Sequence, residues 1–252
     1  MVSVLLASYN GEKYIREQLE SILNQTFSDL SIVISDDLST DGTPAIIREY
    51  EERYPGRVRS LRNSERSGSA QNNFFRLLKV VTDEYIMLCD QDDVWLPDKA
   101  EVTLREMKKL ETEWGKAVPL LVHGDLSVTD KEGSILHESM AEYQKIAVHD
   151  NRFSHYLVEN NITGNTVMIN KAFLEFLTDV PRECVMHDWC WGFWQVVLEG
   201  YPTLTDPWSY TGSMEKIRWD PKAVRSSMRR GSGIRMRSGK ITGKCLCRHR
   251  CF

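Results

Sequence analysis

Three carboxylates lie within four positions of the chain, directly after a short apolar run. They belong to Asp90, Asp92 and Asp93, and the run before them spans residues 85–89. A short apolar run of this kind predicts a strand buried on both faces, as in a parallel sheet. Carboxylates this close together repel one another unless a cation lies between them. The segment would suit Mg²⁺ or Mn²⁺ held by one or two carboxylates, with water and substrate phosphates completing the shell, although an Asp-rich turn is the alternative.

The elements that must position these acids follow from the alternation of two hydrophobic patterns. Short apolar runs predict strands at residues 2–7, 30–35, 58–61, 85–89, 119–122, 125–130 and 162–169. Helical spacing of apolar residues predicts helices at 14–23, 44–54, 69–81, 97–114 and 172–177, and another after Asp188. Strands that alternate with helices favour βαβ units, so we expect an α/β fold with a mostly parallel central sheet flanked by helices.

Polar residues also follow the first two predicted strands. Ser8, Tyr9 and Asn10 follow the first strand, and Asp36 and Asp37 follow the second. The carboxyl ends of parallel strands share one edge of a sheet, and nucleotides bind at that edge in doubly wound folds. The patterns GxGxxG and GxxxxGK[ST] are absent from the sequence, so neither a classical dinucleotide site nor a P-loop is supported. A metal would then have to neutralise the phosphates of a bound nucleotide.

The composition is that of a soluble globular protein, with 41% hydrophobic and 27% charged residues in a chain of 252. The N-terminus carries no secretory pattern and no apolar run is long enough to span a bilayer, so the expected location is cytoplasmic. Cys89, Cys184 and Cys190 stand among apolar residues, which is typical of reduced core cysteines.

Four segments of the chain resemble, in order and spacing, the nucleotide-sugar domain of family 2 glycosyltransferases. They are Ala-Ser-Tyr-Asn-Gly at 7–11, Gln-Thr-Phe at 25–27, Asp-Asp-x-Ser-x-Asp-Gly-Thr at 36–43 and Asp-Gln-Asp-Asp-Val-Trp-Leu-Pro at 90–97. Three later segments, at 125–130, 163–166 and 187–189, resemble the branch that contains bacterial rhamnosyltransferases of surface-polysaccharide assembly. The resemblance covers residues 1–206, which we expect to form the catalytic domain.

The resemblance implies a GT-A type fold and an inverting transfer from a nucleoside-diphosphate sugar. It implies that Asp92 and Asp90 bind a divalent metal and that Asp188, as general base, removes a proton from the acceptor hydroxyl. It places the base and ribose of the donor at Ala7, Tyr9 and Asp37. The full set of residues for which it implies substrate contacts is Ala7, Tyr9, Asn10, Asp37, Asn73, Asp90, Gln91 and Trp189.

Each of these residues also has a structural alternative. Tyr9 and Asn10 could be ordinary turn residues, and Asp37 could cap the loop that follows it. Asp188 precedes an apolar stretch and could be a helix N-cap, while Trp189 could belong to the core.

The resemblance further implies the partners of the reaction. The acceptor would be a glycan or lipid-linked glycan, with peripheral association of the protein at the inner face of the plasma membrane. Rhamnose carried by dTDP is the leading donor, on the strength of the nearest branch alone. No nucleic-acid partner is expected.

The C-terminal segment, residues 207–252, differs sharply from the rest of the chain. It holds twelve Lys or Arg against two acids, a local charge of +10 in a chain of net charge -4. Such a tail is typical of a solvated, disordered segment or of one that contacts nucleic acid or anionic lipid. Zinc binding is a further alternative, although Cys245, Cys247, His249 and Cys251 crowd more tightly than structural zinc ligands usually do.

A shifted reading frame is another explanation of this segment. The resemblance predicts Tyr-Arg-Gln-His after Asp206, whereas the chain has Tyr-Thr-Gly-Ser at 210–213. If this stretch is translated back into codons and read in the frame that starts at the third base of each codon, it can encode Tyr-Arg-Gln-His. A frameshift would remove the Arg and His expected at the diphosphate, so the alternative function is a catalytically impaired protein that binds sugar nucleotides. The coding DNA sequence decides between these explanations.

Overall fold

A computed structural model describes residues 1–130, 134–145 and 162–177, together with the backbone of residues 215–218. The described residues form ten strands: β1 Val2–Ser8, β2 Leu30–Asp36, β3 Val58–Ser60, β4 Tyr85–Cys89, β5 Asp93–Val94, β6 Leu121–Val122, β7 Leu126–Thr129, β8 Ile135–His137, β9 Met168–Asn170 and β10 Glu215–Arg218. They also form six α-helices: α1 Ile15–Leu23, α2 Thr43–Arg53, α3 Ala70–Leu78, α4 Lys99–Trp114, α5 Met140–Gln144 and α6 Lys171–Leu177.

The central sheet contains six of these strands, in the order β3-β2-β1-β4-β9-β6. β1 pairs in parallel with β2 and with β4, and β2 pairs in parallel with β3. β9 is antiparallel to both β4 and β6. The mostly parallel α/β sheet predicted from the sequence is therefore confirmed.

Side chains of β1 alternate between two hydrophobic layers, one on each face of the sheet. Val4 and Leu6 belong to the layer that includes residues of α1, α2 and α4, whereas Leu5 belongs to the layer that includes residues of α3 and α6. All seven residues of β1 and all five of β4 are buried. This two-sided burial explains the continuous apolar runs of β1 and β4. Each fully buried large side chain contributes about 1.5–3 kcal/mol to the stability of the central sheet.

Helix α3 begins where the sequence predicts. Ser69 is its N-cap, and the Ser69 hydroxyl accepts a hydrogen bond from the backbone N–H of Asn72 at 3.1 Å. This bond satisfies one of the N–H groups that have no partner within the helix. The cap fixes the start of α3 beside the carboxyl end of β2.

A second, smaller sheet has the order β5-β10-β7-β8. Its first strand, β5, begins directly after residues 90–92, which follow β4 and are called the acidic segment below. The acidic segment therefore connects two sheets and is anchored at both of its ends.

The strand predicted at 162–169 is wrong over most of its length. Gly164–Thr166 forms a 3₁₀ turn, and β9 begins only at Met168. The backbone N–H and the hydroxyl of Thr166 both donate to the carbonyl of Thr163, at 3.0 and 2.7 Å. Such local bonds offer the backbone an alternative to a strand ladder, which the apolar count of this segment does not reveal.

The predicted helix after Asp188 lies outside the described residues. Within the described parts of the chain, none of the helices combines the length and apolarity that crossing a membrane requires.

Candidate functional site

The carboxyl ends of β1, β2 and β4 meet at one edge of the central sheet because their pairing is parallel. Ser8 pairs with Asp36 and Leu6 pairs with Cys89, so the residues that follow each strand lie close together. A pocket of about 200 Å³ opens at this edge, and it is lined by Ala7, Ser8, Tyr9, Asp37, Ser69, Ala70, Asn73, Asp90, Gln91 and Asp92. The structure thus gathers seven of the predicted site residues around one cavity.

Of the other predicted residues, only Asn10 is described by the structure, and it does not line this pocket. Asn10 is exposed, and its side-chain oxygen accepts a hydrogen bond from the backbone N–H of Thr40 at 2.9 Å. Its φ of 51° lies in the left-handed region that Asn tolerates in turns. Asp188 and Trp189 lie outside the described residues. Asn10 therefore has the contacts of a turn residue here.

Asp37 is almost fully buried beside the pocket, with 5% exposure. Its carboxylate accepts hydrogen bonds from the backbone N–H groups of Ser67 and Gly68, the latter at 3.2 Å. The Arg76 guanidinium lies 3.5 Å from the same carboxylate. Asp37 thus fixes the loop before α3 against the end of β2 while it lines the cavity.

Asp36, rather than Asp37, caps the loop that follows β2. Its carboxylate accepts hydrogen bonds from the backbone N–H of Ser39 at 2.9 Å and from the Ser8 hydroxyl at 3.0 Å. The structural alternative stated for Asp37 is therefore wrong, because its neighbour makes that contact. The two adjacent acids have different tasks, and only Asp37 lines the pocket.

Asn73 fastens α3 to the end of β2. The Asn73 amide N–H donates to the carbonyl of Ser35 at 2.7 Å, and its oxygen accepts from the Ser35 hydroxyl at 2.5 Å. With 2% exposure, Asn73 closes the floor of the pocket. The polar atoms of its side chain already have protein partners, so Asn73 shapes the pocket rather than offering hydrogen bonds to a ligand.

The three carboxylates after β4 are not equivalent. Asp90 and Asp92 line the pocket, whereas Asp93 is buried and accepts a hydrogen bond from the side-chain amide of Asn165. Burial raises the pKa of Asp93 and the neighbouring Asp92 raises it further, while the Asn165 hydrogen bond and the charge of Lys99 lower it. Asp93 is therefore part of the support for the acidic segment.

Lys99 completes this support and was missed by the sequence reasoning. The Lys99 ammonium donates to the backbone carbonyl of Asn165 at 2.9 Å and lies 4.0 Å from the centre of the Trp95 ring. With 3% exposure, Lys99 occupies a core position at the start of α4. The sequence carries one signal for this buried position: Lys99 stands one turn before the buried Thr103, on the inward face of the amphipathic helix α4.

Asp90 and Asp92 have the chemistry expected of a site for Mg²⁺ or Mn²⁺. Both offer carboxylate oxygens on the wall of one pocket. Among the residues that the structure describes, no group of three His, Cys, Asp or Glu side chains could hold an ion. A pair of carboxylates nevertheless suits Mg²⁺, which usually keeps several waters and takes its other ligands from substrate phosphates.

Gln91 lies between these two acids in the sequence and reaches across the pocket edge to Tyr9. Its side-chain oxygen accepts from the backbone N–H of Tyr9 at 2.9 Å, and its side-chain N–H donates to the Tyr9 carbonyl at 3.0 Å. The Tyr9 ring contacts the Arg66 guanidinium, whose carbon lies 4.1 Å from the ring centre. The acidic segment is thereby joined directly to the loop after β1.

Residues 3–119 match the family model described as Glycosyl transferase family 2. A dTDP-rhamnosyl transferase, RfbG, from Shigella flexneri is 48% identical over 97 residues, which are 37% of this chain and 34% of RfbG. The match thus spans about a third of that relative's length.

Two solved structures share the fold at low sequence identity. S. aureus TarS 1-349 in complex with UDP has a TM-score of 0.59 and 19% identity, over 90% of this chain and 63% of that one. A mannosyltransferase from Pyrobaculum calidifontis, in complex with GDP-Man and Mn²⁺, has a TM-score of 0.55 and 21% identity, over 87% and 55% of the two chains. The expected GT-A type fold is confirmed.

Proposed function

We propose that this protein transfers a sugar from a nucleoside-diphosphate sugar to a glycan or lipid-linked glycan, since residues 3–119 match the family model described as Glycosyl transferase family 2. The observation that carries the proposal is the pocket at the edge of the sheet. Its lining combines Tyr9 and the buried Asp37, which follow β1 and β2, with Asp90 and Asp92, which follow β4. This arrangement offers a polar cleft for a nucleoside next to acids that can hold a metal for its diphosphate.

The proposed reaction inverts the configuration of the transferred sugar. The acceptor hydroxyl attacks the anomeric carbon, and the bond from that carbon to the diphosphate oxygen breaks on the opposite side. Asp188 takes the proton of the hydroxyl as general base. Asp92 and Asp90 would hold Mg²⁺ or Mn²⁺, which when bound offsets the negative charge of the departing diphosphate.

The leading donor is dTDP-rhamnose. Its support is the 48% identity, over 97 residues, to the dTDP-rhamnosyl transferase RfbG of Shigella flexneri. The location proposed for the reaction is the cytoplasmic face of the plasma membrane, where lipid-linked acceptors would be reached by peripheral association.

A catalytically impaired protein that binds sugar nucleotides is the second candidate. The observation that favours it is the absence of Tyr-Arg-Gln-His after Asp206, at the point where the composition turns basic. Binding without transfer would distinguish this candidate from the active enzyme.

The test is calorimetric binding of dTDP, UDP, GDP and their sugars, with and without Mn²⁺. We expect wild type to bind one of these nucleotides in a Mn²⁺-dependent manner, and Asp92→Ala to lose that dependence. Asp98→Ala is the matched control, because Asp98 lies on the same stretch but does not line the pocket. Absence of binding to every nucleotide by a folded wild-type protein would refute the proposal, and transfer assays then separate the two candidates.

A further inference from the structure

We propose that Gln91 is a positioning residue that sets the spacing between the nucleoside side and the diphosphate side of the donor pocket; this inference rests on the proposed function. Gln91 does so through the backbone of Tyr9 and not through the ligand. Its side chain lines the pocket, but both ends of its amide are already engaged with the backbone N–H and C=O of Tyr9.

The contact between Gln91 and Tyr9 replaces backbone pairing where that pairing stops. The ladder between β1 and β4 ends at Leu6 and Cys89. Beyond it, the Gln91 amide accepts from the N–H of Tyr9 and donates to its carbonyl, at 2.9 and 3.0 Å. This reciprocal pair imitates one rung of a sheet, so it extends the connection between the two strands into the site itself.

The residue type at position 91 follows from this geometry. A side-chain amide supplies both donors and an acceptor, and the backbone of Tyr9 takes one of each, because its C=O accepts and its N–H donates. A carboxylate would lose the donor and would bring a third negative charge between Asp90 and Asp92. Glutamine is thus suited to hold the segment without adding to its charge.

Gly11 makes room for this contact. A Cβ atom built on Gly11 would lie 3.2 Å from Cγ of Gln91 and would overlap its Cδ and Oε1. The backbone around Gly11 cannot simply move away, because its N–H donates to the Thr43 hydroxyl at 2.8 Å. Positions 11 and 91 are therefore sterically coupled, although Gly11 itself does not line the pocket.

The contact between Gln91 and Tyr9 should matter most for ligands as long as a complete donor. By the nucleoside side we mean Tyr9, in the loop after β1, and by the diphosphate side the acids that flank Gln91, after β4; both line the pocket. A nucleoside diphosphate must contact both sides at once, so a displacement of one side weakens only ligands that span them. Displacements of about 1 Å are sufficient to cost large factors in such sites.

The test compares a short ligand with a spanning ligand on the full chain. Binding of dTMP without metal and of dTDP with Mn²⁺ is measured for wild type, Gln91→Ala, Gln91→Glu and Gly11→Ala, with UDP and GDP run in parallel. We expect Gln91→Ala to change dTMP affinity less than about twofold and to weaken Mn²⁺–dTDP about tenfold, as expected for two lost hydrogen bonds that hold a site. Gln91→Glu should weaken it at least as much.

The double variant Gly11→Ala/Gln91→Ala is the decisive control. Gly11→Ala alone should weaken Mn²⁺–dTDP about tenfold, whereas in the Gln91→Ala background it should add less than about twofold, because coupled sites are not additive. Additive losses, or equal losses for dTMP and dTDP, would overturn the positioning role while leaving the proposed function intact. Failure of wild type to bind any nucleoside diphosphate would instead overturn the proposed function, and the positioning role with it. Amide hydrogen exchange at Tyr9 should be faster in folded Gln91→Ala; unchanged protection would overturn the inference without any ligand.

Discussion

Replacing Lys99 with methionine should destabilise the protein by about 3 kcal/mol, because it breaks a buried polar cluster behind the acidic segment. The change removes a hydrogen bond from a charged donor to the Asn165 carbonyl, at 2.9 Å, worth about 1.5–3 kcal/mol. It also removes a desolvated cation–π contact with Trp95, at 4.0 Å, worth about 2 kcal/mol. The buried apolar stem of methionine and the absence of a buried ammonium recover part of this loss.

The measurement is urea unfolding followed by tryptophan fluorescence at pH 8. For a slope of about 3 kcal/mol per molar, the midpoint should fall by about 1 M. Lys108→Met is the matched control, since Lys108 is on the same helix, is exposed, and lies 5.9 Å from the centre of the Tyr85 ring. It should cost less than about 1 kcal/mol. Equal effects of the two substitutions would refute the reasoning.

A double-mutant cycle separates the pair of charges from the packing around it. Asp93→Asn/Lys99→Met removes both charges, so no unpaired charge remains buried. We expect the double variant to be more stable than the sum of the single effects predicts, by about 1–3 kcal/mol. An additive result would mean that the charge of Lys99 does not act on Asp93.

Three further predictions concern single contacts. Ser69→Ala should lower the free energy of unfolding by about 1 kcal/mol, because the N–H of Asn72 loses its acceptor at the start of α3. Chemical denaturation measures this loss, and an effect below about 0.3 kcal/mol would contradict the role of Ser69 as N-cap. Burial lowers the pKa of His123 below its usual value, so the unfolded state binds more protons and stability should fall as the pH drops below about 6.5. His123→Gln should lose less stability than wild type between pH 8 and pH 5.5 in thermal unfolding, and equal losses would refute the assignment. Glu49→Gln should leave the urea midpoint almost unchanged despite two short hydrogen bonds from Arg16, because both side chains are about half exposed; a shift as large as that of Lys99→Met would contradict this.

The positions of β1, β2 and β4 and of their polar ends could be predicted because their signals are local. Apolar runs that stop at Ser8, Asp36 and Asp90 identify both the strand and the residue that leaves it. Parallel pairing then brings these ends together without further information from the sequence. The pocket is the geometrical result of those two rules.

The tasks of individual polar residues could not be predicted, because they depend on partners distant in sequence. Asp36 and Asp37 are neighbours, but the first caps a local loop while the second holds residues 67–68. Asp93 resembles Asp92 in the sequence, but it is buried and accepts a hydrogen bond from Asn165, which is distant in the sequence. The roles of Asp188 and Trp189 stay predictions.

The position of β9 in the sheet determines when the fold can close during synthesis. β9 pairs with both β4 and β6, although it begins at Met168 and β4 ends at Cys89. At about 5–20 residues per second, a ribosome leaves one edge of β4 without its partner for roughly 4 to 16 s. During that interval an apolar edge is open to pairing with another nascent chain. The soluble yield of this protein should therefore respond to translation speed between these two strands, independently of the stability of the finished molecule.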